Sequence, residues 1–77
     1  MQKKNIEKIF YHVQCIYQQR IINEEEKKEI LDKVQDIING NDSAVNELYH
    51  YLSDMEGKRK DSYKALENFV EFLDEER

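Results

Sequence analysis

The sequence contains no proline, no tryptophan, two glycines and a single cysteine. One cysteine excludes a disulfide within the chain, and no array of cysteine and histidine has metal-ligand spacing. The disulfides and metal sites that usually stabilise a small secreted fold are therefore not predicted. No apolar run approaches the roughly 20 residues of a membrane span, and the N-terminus lacks the apolar core of a signal peptide. We therefore expect a soluble cytoplasmic protein without metals or cofactors.

The charge balance restricts the partners of the chain. Acidic residues outnumber basic residues 17 to 12, which gives a formal net charge of −5. A net negative chain lacks the overall attraction to phosphates on which nucleic-acid binders rely. We expect no direct contact with nucleic acid and no contact with a membrane. A protein partner is favoured, and a basic partner is one alternative.

Apolar residues recur at spacings of three and four, as in amphipathic helices, and no stretch shows the alternation of a strand. This periodicity predicts helices over residues 3–20, 24–39, 43–56 and 61–75. Their apolar stripes are Ile6, Ile9, Phe10, Val13, Ile16 and Tyr17; Ile30, Leu31, Val34, Ile37 and Ile38; Val45, Leu48, Tyr49, Leu52 and Met55; and Tyr63, Leu66, Phe69, Val70 and Leu73. Short connections favour antiparallel neighbours, so we predict an all-α fold, a compact four-helix antiparallel bundle that forms a single small domain.

Residues with capping preferences mark the ends of these helices. Asn23 is suited to cap the second helix, because its side-chain oxygen can accept a bond from a free backbone N–H, and three glutamates follow at the positive end of the helix dipole. Gly40 is suited to end that helix in the left-handed conformation, and Gly57 marks the end of the third helix. The alternative caps are Asn41, Asp42 and Ser43 for the third helix, and Asp61 and Ser62 for the fourth.

Three short patterns resemble chemical sites, but each has a simpler structural interpretation. Glu47 and His50 form a Glu-x-x-His pair that points away from the predicted core, whereas di-iron bundles use this pair twice and direct it inward. His12 and Cys15 are three residues apart, yet no third group is evident that would orient them for nucleophilic catalysis. The cations of residues 58–60 complement the negative end of the third helix. We therefore expect a non-enzyme with no small-molecule substrate.

The first helix carries an unusual outer side. Tyr11 and Cys15 lie opposite its apolar stripe, together with Lys8 and Gln18, and Tyr51 lies at the edge of the third helix's stripe. Single exposed apolar residues are ordinary in soluble proteins. A tyrosine beside a small apolar group, surrounded by lysine and glutamine, is nevertheless typical of a contact surface, because tyrosine contributes both area and a hydrogen bond. We predict that this side binds either a second copy of the chain or another protein.

A second candidate surface lies on the fourth helix and is acidic. Carboxylates occupy the last turn of this helix, where the helix dipole favours cations. They therefore do not stabilise the helix through its dipole. Fraying of the helix end is one explanation, and an acidic surface that attracts a basic partner is another. The residues of this surface are Glu67, Glu71, Asp74, Glu75 and Glu76.

Together these patterns predict a small acidic domain that regulates or inhibits a protein partner by docking. One alternative is an immunity or counter-defence protein of a bacterium or phage, which neutralises a cationic toxin or a nucleic-acid-binding enzyme through its acidic surface. Another is a structural subunit of a homo-oligomer. Salt distinguishes the two surfaces, because an interface at Tyr11 should persist at high ionic strength, whereas recognition through carboxylates weakens as salt screens it.

Overall fold

The computed structural model describes residues 3–59 and 63–77, and no strand occurs within these ranges. Each helix packs against its two neighbours in a closed order, and the described residues show no contact between the diagonal pairs. The predicted all-α four-helix bundle is therefore confirmed. The helices are α1 (Lys3–Gln18), α2 (Glu24–Ile38), α3 (Ser43–Lys58) and α4 (Lys64–Glu76).

A capping box begins α2. The backbone N–H of Glu26 donates to Asn23 Oδ1 at 2.8 Å, and the backbone N–H of Asn23 donates to Glu26 Oε1 at 3.0 Å. These reciprocal bonds satisfy two of the amide groups near the start of the helix. Glu24 and Glu25 add negative charge in the first turn, where the dipole favours it. The predicted cap at Asn23 is confirmed.

The end of α2 is a Schellman motif, the hydrogen-bonding pattern in which a left-handed residue closes a helix. Gly40 has a φ of 95°, which is costly for any residue with a Cβ atom. Its N–H donates to the carbonyl of Ile37 at 3.0 Å, and the N–H of Asn41 donates to the carbonyl of Asp36 at 3.0 Å. The predicted stop at Gly40 is confirmed.

The end of α1 repeats this motif without a glycine. Arg20 takes the left-handed position with a φ of 61°. Its N–H donates to the carbonyl of Tyr17 at 3.0 Å, and the N–H of Ile21 donates to the carbonyl of Ile16 at 2.9 Å. This turn directs the chain back toward the bundle, and both Ile21 and Ile22 are buried although they belong to a loop.

The core consists of one apolar stripe from each helix and the two isoleucines of the first loop. No polar or charged side chain is buried among the described residues. Each large apolar side chain that is fully buried contributes about 1.5–3 kcal/mol relative to an exposed one. The side chains that are most completely enclosed are Ile9, Ile16, Ile30, Val34, Leu48, Leu52, Leu66, Phe69 and Leu73.

Two residues predicted in the core lie instead at the surface. Phe10 is 45% exposed and Ile38 is 43% exposed. Each follows a buried residue directly, Ile9 in α1 and Ile37 in α2. Because consecutive residues of a helix point about 100° apart, only one of each pair can face the bundle axis. The apolar stripes predicted for α1 and α2 are therefore too wide by one residue each.

Some helix ends differ from the prediction. α1 ends at Gln18, before the predicted end, because the left-handed turn follows it. α3 begins at Ser43 with Asp42 at the N-cap position, one of the predicted alternatives. It continues through Gly57 to Lys58, so Gly57 lies inside the last turn and does not end the helix.

The start of α4 also differs. The helix begins at Lys64, and Tyr63 occupies the N-cap position in an extended conformation. Tyr63, which the predicted helix includes, therefore lies outside α4, and the predicted start at residue 61 lies outside the described residues. The predicted caps Asp61 and Ser62 lie outside the described residues.

Candidate protein interface

One strip of α1 runs along its outer side. Lys4, Lys8, Tyr11 and Cys15 are separated by four, three and four residues, so their side chains lie above one another on the helix. Tyr11 is 68% exposed and both lysines are exposed, whereas Cys15 is half-buried. Gln18 is exposed at the end of the same side. The structure thus exposes Tyr11 as the sequence predicts, while Cys15 is less accessible than expected.

The Tyr11 side chain has two neighbours on its own helix. A hydrogen bond with Cys15 and the charge of Cys15 raise the pKa of the Tyr11 hydroxyl above its ordinary value. The Tyr11 ring also meets the His12 ring edge-on, with 5.8 Å between the ring centroids. These contacts orient the ring while leaving most of it in solvent.

His12 connects this strip to α4. Its ring stacks on Phe69 with a centroid distance of 5.1 Å and packs against Phe72 at 5.2 Å. Partial burial and the nearby charge of Lys8 lower the pKa of His12 below its ordinary value. Phe69 is buried, whereas Phe72 is half-buried. Tyr11, His12 and Phe72 therefore form a continuous aromatic cluster across the seam between α1 and α4.

Two contacts set the antiparallel register of this seam. Asn5 Nδ2 donates to Glu76 Oε1 at 2.9 Å, so the start of α1 lies level with the end of α4. His12 lies level with Phe69 and Phe72. Because both helices rise by the same amount per residue, this register holds along the seam to within about two residues. The outward-facing residues nearest to each other in height are therefore Lys8 and Glu75, Tyr11 and Phe72, and Cys15 and Asn68.

The two helices of this seam carry opposite charge. α1 contains three lysines and one glutamate, which gives a formal charge of +2. α4 contains one lysine and five acidic residues, which gives a formal charge of −4. The surface formed by the outward sides of α1 and α4 is called here the α1–α4 face; its α1 half carries the exposed Lys4 and Lys8, and its α4 half carries the exposed Glu75. The sequence prediction treated these halves as two separate surfaces.

The acidic residues of α4 do not form one free surface. Glu76 is turned toward α1 by its bond with Asn5. Asp74 Oδ1 accepts a hydrogen bond from Arg77 Nε at 2.9 Å. Two of the five predicted carboxylates therefore make contacts within the chain. The other three are the exposed Glu71 and Glu75 and the half-buried Glu67.

Tyr51 lies apart from the other predicted contact residues. It belongs to the α2–α3 seam, on the side of the bundle opposite to the α1–α4 face. Burial and a hydrogen bond with Glu29 raise the pKa of Tyr51 to about 12. Lys33 Nζ lies 5.8 Å from the centroid of its ring. The structure therefore does not bring Tyr51 together with Tyr11.

A cavity of about 500 Å³ adjoins Tyr51, between α2 and the end of α3. One wall is an ion pair in which Arg59 Nη2 donates to both carboxylate oxygens of Glu26, at 2.9 and 3.2 Å. Sequence reasoning missed this pair, because it assigned the cations of residues 58–60 only to the negative end of the third helix. Asp54 and Lys58 also line the cavity and carry opposite charges. The described lining is therefore balanced in charge and selects neither anions nor cations.

The patterns that resembled chemical sites remain without support. Glu47 and His50 are both exposed. Within residues 3–59 and 63–77, no group of three or more histidine, cysteine, aspartate or glutamate side chains is arranged to hold a metal ion. In the same ranges, every helix is too short or too polar to span a membrane.

Comparisons with known proteins do not assign this chain to a family. No protein-family model matches the sequence, and searches of curated proteins and of solved structures found no match.

Proposed function

We propose that this chain is a non-enzymatic domain that regulates or inhibits a partner protein by docking through the outer side of α1. The observation that carries the proposal is the exposure of Tyr11, at 68%, on the side of α1 opposite to its buried stripe. A large aromatic side chain held in water favours an interaction site, because its removal from water is favourable. Tyrosine is also among the residues that dominate binding energy at interfaces.

The surroundings of Tyr11 suit a protein contact. Gln14 and Gln18 are exposed and uncharged, so a partner that packs against them does not have to remove a charge from water. The Tyr11 side chain has only two rotatable bonds, and its ring meets the His12 ring edge-on. Its binding therefore costs less conformational entropy than that of a longer, more flexible side chain.

The cytoplasm is the compartment that we propose for this activity. Cys15 is a free thiol, and the chain has no second cysteine with which it could form a disulfide. A reducing compartment is the usual location of such chains.

Docking of a basic partner, including a toxin or a nucleic-acid-binding enzyme, is a second candidate. It is supported by the five acidic residues of α4. It is the weaker candidate because Asp74 and Glu76 are engaged within the chain. Such a complex would form quickly at low salt and would weaken as salt increases.

Replacement of Tyr11 by glutamate tests the proposal. The matched control is His50→Glu, which also converts an exposed aromatic side chain on an outer helix face to glutamate, but on α3, diagonally across the bundle. Tagged wild-type protein and both variants are expressed in the native host, and the captured proteins are quantified by mass spectrometry at low and high salt. We expect a partner that is retained by wild type and His50→Glu at both salt concentrations and is lost with Tyr11→Glu.

Far-UV circular dichroism and a thermal melt establish that both variants fold. Equal capture by folded Tyr11→Glu and by His50→Glu would show that the outer side of α1 is not the docking surface. Loss of the captured partner from wild type at high salt would assign docking to the carboxylates of α4.

A further inference from the structure

We infer that the protein bound at the α1–α4 face is a second copy of this chain, with α1 of each copy packed against α4 of the other. This inference rests on the proposed function, since it names the partner of the same surface. Its starting point is the opposite charge of the outward-facing side chains, which are Lys4 and Lys8 on α1 and Glu75 on α4. A face with a basic half and an acidic half is complementary to itself after a two-fold rotation.

The orientation of the two-fold axis follows from the charges. An axis that runs parallel to the bundle exchanges the two halves of the face and keeps every residue at its own height. α1 then lies opposite α4 of the second copy. An axis across the bundle would place α1 against α1 and α4 against α4, which brings like charges together. The parallel axis is therefore favoured.

The register within one copy gives the contacts between copies. Asn5 with Glu76, and His12 with Phe69 and Phe72, show which residues of α1 and α4 lie level. Under the parallel axis, residues that are level within one copy become opposite between copies. The resulting contacts are Lys8 with Glu75, Tyr11 with Phe72, and Cys15 with Asn68 of the second copy.

Two of these three contacts have complementary chemistry. Lys8 and Glu75 are both exposed and carry opposite charges. Tyr11 and the half-buried Phe72 form an aromatic pair, which adds to the gain from their burial. The two-fold axis produces every contact twice, so the dimer buries two aromatic pairs flanked by two ion pairs.

The outward-facing residues form one continuous strip on each helix. Along α1 the strip from Lys4 to Cys15 has separations of four, three and four residues. Along α4, Ala65, Asn68, Phe72 and Glu75 have separations of three, four and three. Residues at these spacings share one side of a helix, so the three contacts can form together along one pair of helices.

Charge exchange between two variants provides the sharpest test. The variants are Lys8→Glu and Glu75→Lys, and the matched control is Lys28→Glu, at an exposed lysine of α2. Dissociation constants are measured by sedimentation equilibrium under reducing conditions. We expect wild type and Lys28→Glu to dimerise equally, and either of the other two variants to raise the dissociation constant at least about tenfold, because two repulsive contacts replace two attractive ones.

An equimolar mixture of Lys8→Glu and Glu75→Lys should regain dimers of near wild-type affinity. In the mixed dimer both contacts are attractive, one of them reversed in sign and one native. Native mass spectrometry then finds the mixed dimer in excess over either variant's own dimer. Tyr11→Glu should also raise the dissociation constant, without rescue by either charge variant.

Each other outcome overturns the inference. If both charge variants weaken the dimer but their mixture does not restore it, α1 does not face α4 of the second copy. If wild type is monomeric up to about 1 mM, the affinity is below that of a useful dimer and the second copy is not the partner. Capture of a different protein that depends on Tyr11 would then still support docking through α1.

Discussion

Replacement of Arg20 by glycine should stabilise the protein. Arg20 closes the Schellman motif of α1 with a φ of 61°, and its side chain is exposed. A residue with a Cβ atom costs roughly 1–2 kcal/mol in the left-handed region. Glycine removes that strain but increases the entropy of the unfolded chain, which opposes the gain by about 0.5–1 kcal/mol. The net expectation is a free energy of unfolding that increases by about 0.5–1 kcal/mol.

The assay is urea unfolding followed by far-UV circular dichroism. Arg20→Gly should raise the midpoint without changing the dependence on urea, since the buried surface is unchanged. The reciprocal control is Gly40→Ala in the equivalent motif of α2. No atom lies within 4 Å of a Cβ added at Gly40, so this change carries the backbone strain of a φ of 95°, offset in part by the lower entropy of the unfolded chain. It should lower the free energy of unfolding by about 0.5–1 kcal/mol.

Opposite signs for the two variants are the essential result. If Arg20→Gly destabilised the protein, the left-handed strain at Arg20 would be smaller than the entropic cost of glycine. If Gly40→Ala were neutral, left-handed backbone strain would not determine the stability of these turns at all. Either result would refute the reasoning.

Two further predictions concern titrating groups. The pKa of His12 is lowered in the folded state, so at acidic pH the unfolded state binds more protons than the folded state. The free energy of unfolding linked to His12 should therefore be at its full value above the unfolded pKa near 6.5. It should fall as the pH decreases through the folded pKa. This part of the pH dependence, measured by urea unfolding, should disappear in His12→Gln and persist in His50→Gln. The pKa of Tyr51 is raised to about 12, so ultraviolet absorbance should show a tyrosine that ionises at about that pH and is missing from Tyr51→Phe. Stability linked to Tyr51 should be present below the unfolded pKa of about 10 and lost as pH rises toward 12.

The features that the sequence predicts correctly are local ones. The capping box at Asn23 requires only residues within one turn, and the stop at Gly40 requires only one residue of special conformation. Periodicity also predicts the buried stripes well, because one face of every helix must leave water. It fails at Phe10 and Ile38, since residues at the edge of a stripe are buried or exposed according to how the neighbouring helix approaches.

Non-local features were not accessible from the sequence. Arg20 gives no signal for a left-handed turn, because that signal is usually a glycine, and the burial of Ile21 and Ile22 depends on this turn. The pair of Glu26 and Arg59 joins residues that are 33 positions apart. Only the packing of α2 against α3 brings them together.

The same distinction between local and non-local features applies to the candidate surface. The outward position of Tyr11 follows from spacing within α1 and was predicted. Its proximity to Phe72 follows from the register between α1 and α4, which the contacts of His12 determine. The sequence therefore supplied the separate parts of the α1–α4 face but not their arrangement.

The bond between Asn5 and Glu76 has a mechanical consequence. The start of α1 and the end of α4 lie side by side at the same end of the bundle, so a force that pulls them apart acts on the α1–α4 seam from that end. The contacts between the two helices then break one layer of side chains after another, beginning at that end. A bundle whose ends lay at opposite poles would instead have to shear a whole seam at once. Tension on this chain should therefore detach α1 and α4 first, while the pairing of α2 with α3 is still intact.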